Sequence, residues 1–292
     1  MKIIERVIQC NKRSDICNLY PLGDVHLGSR NCAEKPLRAH VRRIADDPQA
    51  VWFGGGDVLD CIKPQDAKRF DVKTMPDWIM EGDADTTRDN LSDILTQQLK
   101  RLTGILKPIA HKCIGLMEGN HEAAIRMHYN QDIHGALCNK LDAQDLTSYC
   151  WIRLKFKRSN KAAKNIDVVA QHGCGGGRSD GAESLHLGRM VKKWEMADIV
   201  FRGHSHTYTV APPKPVLYVP ATGKMPKELS VRYRYAANWG CWLYSHAAGP
   251  STYDETADYP ARPMMTEYAQ IQPFAYIEGK EKAVIEIRSI EL

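Results

Sequence analysis

The sequence predicts an α/β protein with a functional site at the ends of its strands, and two observations support this prediction. Short apolar runs end abruptly in polar residues, as buried strands do where they lead into loops. Segments in which apolar residues recur at helical spacing lie between those runs. Because open α/β sheets place their sites at the carboxyl ends of strands, the repeated polar endings predict one shared site there.

Five apolar runs are predicted as strands with such endings, at residues 16–22, 50–53, 113–117, 166–170 and 199–201. Each run delivers an Asp, Asn or His shortly after its last apolar residue, and these residue types bind metal ions. Residues 151–157 alternate apolar and basic side chains, which predicts a half-exposed strand. Residues 282–290 alternate similarly and predict a closing edge strand.

Helices are predicted at residues 36–45, 91–106 and 182–197, and Lys107-Pro108 ends the second of them. We interpret residues 1–292 as a single domain. Residues 61–90 carry many charges and little periodicity, which indicates an insertion on the catalytic core. Residues 207–292 form a proline- and aromatic-rich elaboration, and the prolines between 212 and 263 predict long loops and short strands.

The composition is that of an ordinary soluble protein, with 43% hydrophobic and 26% charged residues in a chain of 292. A net charge of +5 permits an anionic substrate without demanding one. The nine cysteines are odd in number, scattered and free of C-x-x-C pairs, so we expect reduced thiols and a cytoplasmic location. No signal peptide and no membrane span are predicted.

The central observation is a set of seven side chains with metal-binding chemistry: Asp24, His26, Asp57, Asn120, His172, His204 and His206. Two carboxylates, one amide oxygen and four imidazoles can hold two divalent ions with positions left open for water. In each of the pairs Asp24-x-His26 and His204-x-His206, both ligands lie on the same side of an extended segment, because side chains alternate along a strand. Asp57 follows three glycines and is the best candidate for the carboxylate that bridges two ions. Manganese is the preferred metal, with iron, zinc, nickel and magnesium as alternatives.

Five sequence blocks carry a family resemblance: G-D-x-H (23–26), G-D-x-x-D (56–60), G-N-H-E (119–122), a lone His172, and G-H-x-H (203–206). In this order they resemble the calcineurin-like metallophosphoesterase superfamily, over about two-thirds of the chain. The resemblance implies a four-layer αββα sandwich with a dinuclear site at the strand ends. It implies ligands to one ion from Asp24, His26 and His206, ligands to the other from Asn120, His172 and His204, and a bridge from Asp57.

The resemblance also implies two catalytic residues. His121 matches a family histidine beside the scissile phosphate, where it stabilises charge or protonates the leaving oxygen. Asp60 matches a position whose carboxylate can hydrogen-bond that histidine, fix its tautomer and raise its basicity. The alternative interpretation is that Asp60 caps a following helix.

Further substrate contacts are predicted from glycine-rich and basic segments. The loop 173–178 could surround a phosphate with backbone N–H groups while Arg178 clamps it, although a flexible surface loop would have the same sequence. Residues 153–164 hold six basic side chains and no acid, and among them Lys155, Lys157 and Arg158 are the predicted backbone contacts. A second basic stretch covers residues 214–234.

Aromatic residues in or near the second basic stretch could stack on bases: Tyr218, Tyr233, Tyr235, Trp239 and Trp242. A solvated basic hairpin beside a tyrosine-rich core would look the same in sequence. Protein phosphatases of the superfamily carry Arg-Gly after the second Asp of G-D-x-x-D, whereas Cys61-Ile62 stands there in this chain.

These features predict a phosphoesterase that uses water activated between two metal ions, preferably a phosphodiesterase or nuclease acting on DNA or RNA. The alternative is a phosphomonoesterase that acts on nucleotides or phosphoproteins. A non-enzymatic binding module of the same fold is a third possibility, which the complete set of ligands disfavours.

Overall fold

The computed structural model describes residues 1–66, 68–158, 163–174, 180–219, 229–244 and 264–291. Its first sheet contains six strands, in the spatial order β1 (Lys2–Cys10), β5 (Tyr149–Arg158), β6 (Ala163–Gln171), β7 (Ile199–Arg202), β9 (Ser230–Asn238) and β8 (Val210–Tyr218). The second contains five, in the order β11 (Lys280–Glu291), β10 (Met264–Ile277), β2 (Cys17–Leu22), β3 (Ala50–Gly54) and β4 (Cys113–Leu116).

Helices cover the outer faces of both sheets. The helices are α1 (Glu34–Asp46), α2 (Asp77–Met80), α3 (Ala84–Ser92), α4 (Ile94–Leu106), α5 (Asn120–Tyr129), α6 (Ile133–Leu141) and α7 (Asp180–Lys193). Buried side chains of α1, α4, α5 and α6 share one apolar cluster with the outer face of the second sheet. Helix α7 packs on the outer face of the first sheet. The inner faces enclose a third cluster that includes Phe53, Phe156 and Phe201. The predicted four-layer αββα sandwich is therefore confirmed.

The pairing of strands brings the predicted site residues to one edge of the molecule. In the second sheet β2, β3 and β4 run parallel, and in the first sheet β6 and β7 run parallel. All five predicted strands with polar endings are present. Because parallel strands end on the same side of a sheet, their carboxyl-terminal loops meet there.

The segment 61–90 forms a short 3₁₀ turn (Val72–Thr74), α2 and most of α3. Met75 and Ile79 of this segment are buried in the cluster that the other helices share with the second sheet. The predicted helix 91–106 starts later in the structure, since α4 begins at Ile94, and the predicted helix 182–197 ends earlier, since α7 ends at Lys193. Helix α4 ends at Leu106, before Pro108, as predicted.

The C-terminal elaboration is more regular than the prolines predict. Strands β8 and β9 each have nine residues, and β10 and β11 are longer still. The expectation of short strands is wrong for β8 because Pro212, Pro213 and Pro215 lie on an edge strand, where missing N–H donors do no harm. The pairing with β9 shifts register at this point. Strand β11 is an edge strand, as predicted, and residues 245–263 lie outside the described ranges.

All nine cysteines are free thiols, in agreement with the expectation of reduced cysteines. Burial raises the pKa of several, to about 12 for Cys113 and Cys150. Among the described helices, none combines the length and the apolar character that a bilayer crossing requires.

One buried histidine of the helical layer gives a pH-dependent prediction. His40 of α1 is buried between the rings of Tyr20 and Trp242, and within the described ranges both of its ring nitrogens lack hydrogen-bond partners. Burial, with a smaller effect of Arg43, lowers the pKa of His40 to about 3. The unfolded chain therefore binds one more proton than the folded chain between that pKa and about 6.5, the value for a free histidine. This lowers the free energy of unfolding by about 1.4 kcal/mol per pH unit as pH falls through that window.

Urea unfolding at pH 7 and pH 5 tests this expectation. His40→Leu should lose less stability between the two pH values than the parent does. His111→Leu, at an exposed position, is the matched control and should follow the parent. An unchanged pH dependence in His40→Leu would contradict the prediction.

Candidate metal centre

The loops that follow β2, β3, β4, β6 and β7 bring the seven predicted ligands together. Asp24 and His26 follow β2, Asp57 follows β3, and Asn120 follows β4 as the first residue of α5. The three remaining histidines follow the parallel strands of the other sheet: His172, His204 and His206. Contacts across the two sheets show that the loops form one site.

One cluster consists of Asp24, His26 and His206, whose ligand atoms all lie within 4.8 Å of one another. The Nε2 atoms of His26 and His206 are 3.0 Å apart. Asp24 Oδ1 is 4.0 Å from His26 Nε2 and 3.8 Å from His206 Nε2. All three residues are buried, so the cluster presents one carboxylate oxygen and two imidazole nitrogens to a common point.

A second cluster consists of Asp57, His172 and His204. Nε2 of His172 lies 3.1 Å from Asp57 Oδ2 and 3.1 Å from Asn120 Oδ1. Its other nitrogen, Nδ1, donates to the backbone carbonyl of Gly55 at 2.8 Å, which leaves Nε2 as the ligand atom. The second predicted ligand set is therefore assembled, with Asp57 beside it.

Charges in the site balance one another. Burial opposes charge on His26, yet the carboxylates of Asp60, Asp57 and Asp24 raise its pKa to about 9. Burial likewise opposes charge on His172, but Asp57 and Asp24 raise its pKa to about 10. Burial opposes ionisation of Asp57 as well, and neighbouring imidazoles, chiefly that of His172, hold the pKa of Asp57 well below its usual range. The buried acids thus need positive charge beside them, which protons or metal ions can supply.

Two buried atoms show that these residues fit a metal ion. Asp24 Oδ1 and His204 Nδ1 are buried and have no hydrogen-bond partner within the described part of the chain. Buried polar atoms without partners are rare in proteins and call for an explanation such as an ion. One of these atoms belongs to each cluster. Each cluster therefore contains a buried ligand atom that a divalent ion would satisfy.

The backbone at the ligands is unusual. The residues with positive φ include five of the seven ligands, with angles of 48° to 71°: Asp24, His26, Asp57, His204 and His206. Such left-handed conformations are uncommon outside glycine, although Asp, Asn and His adopt them more readily than other residues. They recur at functional sites, where the surrounding fold enforces them.

The predicted catalytic pair is adjacent, but the contact differs from the prediction. His121 Nδ1 lies 2.5 Å from the backbone carbonyl oxygen of Asp60, whereas the Asp60 carboxylate is 3.9 Å from that nitrogen. The carboxylate also lies 3.7 Å from His26 Nδ1. The expected carboxylate–imidazole hydrogen bond is therefore wrong, because the backbone carbonyl group of Asp60, and not its carboxylate, lies within hydrogen-bond distance of His121 Nδ1. Among the described residues 61–66, which directly follow Asp60, no helix begins, so the capping alternative is wrong too.

Glu122 is a site residue whose role the sequence analysis missed. Its buried carboxylate accepts N–H bonds from Asp57 (3.1 Å), Leu59 (3.0 Å) and Gly119 (3.1 Å). Glu122 therefore holds the loops after β3 and β4 together underneath the second cluster. The G-N-H-E block carried the signal, since a glutamate three residues after the N-cap residue, which is Gly119 here, can accept bonds from backbone N–H groups at the start of the helix.

Trp239 and Trp242 do not offer stacking surfaces. Both are fully buried, so the predicted stacking of bases on these two indoles is wrong. Trp239 Nε1 donates to Asp24 Oδ2 at 2.5 Å, inside the metal centre. Tyr218 and Tyr233 are exposed, and Tyr235 is partly buried.

The basic residues of β5 lie away from the metal centre. Lys155 pairs in register with Asn165, seven positions before His172, which places it about 23 Å from the centre at ~3.3 Å per residue. Lys155 contacts Glu5 at 3.3 Å, Arg158 contacts Glu281 at 3.3 Å, and Lys157 is exposed. The predicted substrate contacts of these residues stay a prediction.

Two basic residues of the second stretch bind backbone carbonyl groups in helix α7 or just after it. Arg232 donates to the carbonyl oxygen of Glu195, just beyond that helix, and Arg234 donates to the carbonyl oxygen of Val191 at 2.6 Å. Arg178, the predicted phosphate clamp, and most of its glycine-rich loop lie outside the described residues.

The chain is similar to a conserved uncharacterized protein, a predicted phosphoesterase, from Streptococcus pneumoniae TIGR4, with a TM-score of 0.32, 10% identity and coverage of 94% of this chain and 99% of that chain. It is also similar to the calcineurin-like phosphoesterase YfkN from Bacillus subtilis, with a TM-score of 0.28, 12% identity and coverage of 64% of this chain and 61% of that chain. No protein-family model and no curated protein sequence matches it.

The two packed sheets, the outer helices and the convergence of the seven candidate ligands at the strand ends agree with the fold and the site that the sequence resemblance implies.

Proposed function

We propose that this chain is a metal-dependent phosphoesterase with a dinuclear centre. The observation that carries the proposal is the pair of ligand clusters at one edge of the sandwich, each with a buried donor atom that lacks a partner among the described residues. Asp24, His26 and His206 would hold one ion, and Asn120, His172 and His204 the other. Asp57 would bridge them. We propose Mn²⁺ for both positions, since the carboxylate and amide oxygens of the site suit it, and the imidazoles make iron, zinc or nickel the other outcomes of metal analysis, together with magnesium.

Ions bound there would activate water and neutralise the phosphate charge. The protein's own contribution beyond the ligands centres on His121. A carbonyl oxygen only accepts hydrogen bonds, so the contact with Asp60 places a proton on His121 Nδ1. When the ring is an imidazolium, with a proton on each nitrogen, Nε2 is the nitrogen that can protonate a leaving oxygen, and the neutral ring that remains keeps its proton on Nδ1. Because the carbonyl group fixes the ring, this proton donor is oriented before substrate binds.

We propose that the substrate is a phosphodiester. Cys61 occupies the position where protein phosphatases of the superfamily carry an arginine, and its side chain is fully buried. Its backbone N–H donates to Gln98 Oε1, which fixes the segment. A phosphomonoester dianion would benefit from a guanidinium fork at this position, whereas a diester carries a single charge and needs it less.

A nucleic acid is the proposed diester. A chain of about seven nucleotides, at ~3.4 Å each, would reach from the metal centre to the exposed basic side chains of β5. Such contacts act through the release of counterions and give steep salt dependence. Lys157 is exposed and Lys155 half-buried, so both are available to a phosphate backbone.

Double charge reversal tests this proposal. Lys155→Glu with Lys157→Glu should slow cleavage of DNA or RNA roughly 10-fold or more at 0.1 M salt, and should leave bis-p-nitrophenyl phosphate hydrolysis unchanged. Lys100→Glu with Lys107→Glu changes the same number of charges at exposed positions on the helical layer and should behave as the parent.

Two results would contradict the proposal. Equal cleavage of nucleic acid by both double variants would show that the β5 lysines are solvated surface. If the Mn²⁺-loaded parent hydrolyses p-nitrophenyl phosphate and not its bis-ester, the chain is a phosphomonoesterase, which is the second candidate function.

A further inference from the structure

We infer that Trp239 is a positioning residue of the metal centre, which holds the carboxylate of Asp24 in the orientation that metal binding requires. This inference rests on the proposed dinuclear centre. Trp239 lies directly after β9, 215 positions from Asp24 in sequence, and its indole is fully buried between the two sheets.

The two oxygens of Asp24 have different surroundings. Oδ2 accepts from Trp239 Nε1 at 2.5 Å and from the backbone N–H of His204 at 2.9 Å. Oδ1 has no hydrogen-bond partner within the described ranges and faces the imidazoles of His26 and His206. The indole N–H is a donor only, so it can hold the carboxylate without competing for the ion.

The indole also explains glycines in three of the ligand loops. A Cβ atom built on Gly23 would lie 2.6 Å from Trp239 Nε1, one on Gly55 would lie 2.7 Å from Cζ2, and one on Gly203 would lie 2.1 Å from Cζ2. Real Cβ atoms essentially never approach so closely. The G-D-x-H, G-G-G-D and G-H-x-H segments therefore need glycine at these positions in order to close around one ring.

The ring is itself fixed from several sides. The backbone N–H of Trp239 donates to the carbonyl oxygen of Arg202 at 3.1 Å, which ties the start of the β9 loop to the end of β7. Its ring packs edge-on against Phe53 of β3, with ring centroids 6.1 Å apart. Because Trp239 contacts both sheets as well as Asp24, the position of the Asp24 carboxylate depends on how the two sheets pack against each other.

Groups that orient a metal ligand without touching the ion typically contribute 10–100-fold in metal affinity. The expected effect of losing the indole N–H is therefore of that size, at the ion held by Asp24, His26 and His206. The ion held by Asn120, His172 and His204 should be affected less.

Calorimetric titration with Mn²⁺ tests the inference on Trp239→Phe, which keeps an aromatic ring and removes the donor. Trp52→Phe is the matched control, because Trp52 is equally buried and its Nε1 donates to the carbonyl oxygen of Ile109 at 2.7 Å, on the helical side of β3. Both variants lose one buried indole hydrogen bond. Only Trp239→Phe should bind one of its two ions about 10–100-fold more weakly.

A second measurement uses the parent protein and needs no substitution. In protein labelled with ¹⁵N at the six tryptophan indoles, one indole N–H resonance should shift when diamagnetic Zn²⁺ is added, because its acceptor becomes a metal ligand. Equal Mn²⁺ affinities in the parent, Trp239→Phe and Trp52→Phe would overturn the inference. It would also be overturned if Zn²⁺ binds and no indole N–H resonance changes its chemical shift. A parent protein that binds no ion would instead overturn the proposed centre itself.

Discussion

Replacement of Asp57 by alanine is expected to remove the proposed catalysis and at least one of the two proposed metal ions. Asp57 lies beside the second cluster, and the imidazoles of His172, His121 and His26 all stabilise its charge. A carboxylate shared by two ions fixes their separation, so its loss should cost several kcal/mol in the transition state. At about 1.4 kcal/mol per factor of ten, kcat/KM should fall at least about 10³-fold. Metal content measured after Mn²⁺ loading should fall from two ions per chain to one or none.

Two further variants sharpen the measurement. Asp57→Asn keeps an oxygen that can accept the backbone N–H of His121, which Asp57 Oδ1 accepts at 2.8 Å in the parent. It should fold as the parent does and still lose metal, because the bridging charge is gone. Asp85→Ala, at an exposed position, is the control for loss of a surface carboxylate. An Asp57→Ala protein with full activity would refute the assignment of the bridge.

Replacement of His121 is expected to lower the rate without removing metal. Its Nδ1 is committed to the Asp60 carbonyl oxygen, and its ring centroid lies 4.7 Å from that of His26, at the rim of the first cluster. A positioned proton donor typically contributes 10²–10⁴-fold to a rate. His121→Asn should therefore lower kcat by about that factor, with metal content and the midpoint of unfolding close to those of the parent.

The geometry also supplies the result that would overturn this role. His26, Asp60 and His121 form a third group whose ligand atoms lie within 4.8 Å of one another. If His121→Asn loses one ion, His121 is a ligand and not a proton donor. His128→Asn, on the exposed side of the same helix, controls for the loss of an imidazole from α5.

The sequence could predict that the seven candidate ligands converge, because their signal is local. An apolar run that ends in Asp, Asn or His needs no knowledge of distant residues, and parallel pairing then brings the endings together. The same logic failed for β1, an edge strand with more than half of its residues exposed. It failed again at β8, where prolines usually indicate loops but an edge position tolerates them.

The remaining errors concern contacts between residues far apart in sequence. Whether Trp239 is exposed or is buried as a hydrogen-bond donor depends on the strand with which β9 pairs. No local sequence pattern specifies that pairing. The choice between the carboxylate and the carbonyl group of Asp60 depends on backbone angles after β3, which residue identities leave open. The distance between the β5 lysines and the centre depends on the strand register with β6.

The left-handed backbone at five of the ligands limits how this centre could be moved to another protein. Each such residue costs on the order of 1–3 kcal/mol and persists only where the surrounding structure enforces it. A peptide carrying residues 23–26 or 203–206 alone would relax to ordinary angles, and its carboxylate and imidazoles would no longer converge. Grafting the centre would therefore require both sheets and the indole between them, because the ligand residues bind together only when the surrounding fold holds their backbone in the left-handed conformation.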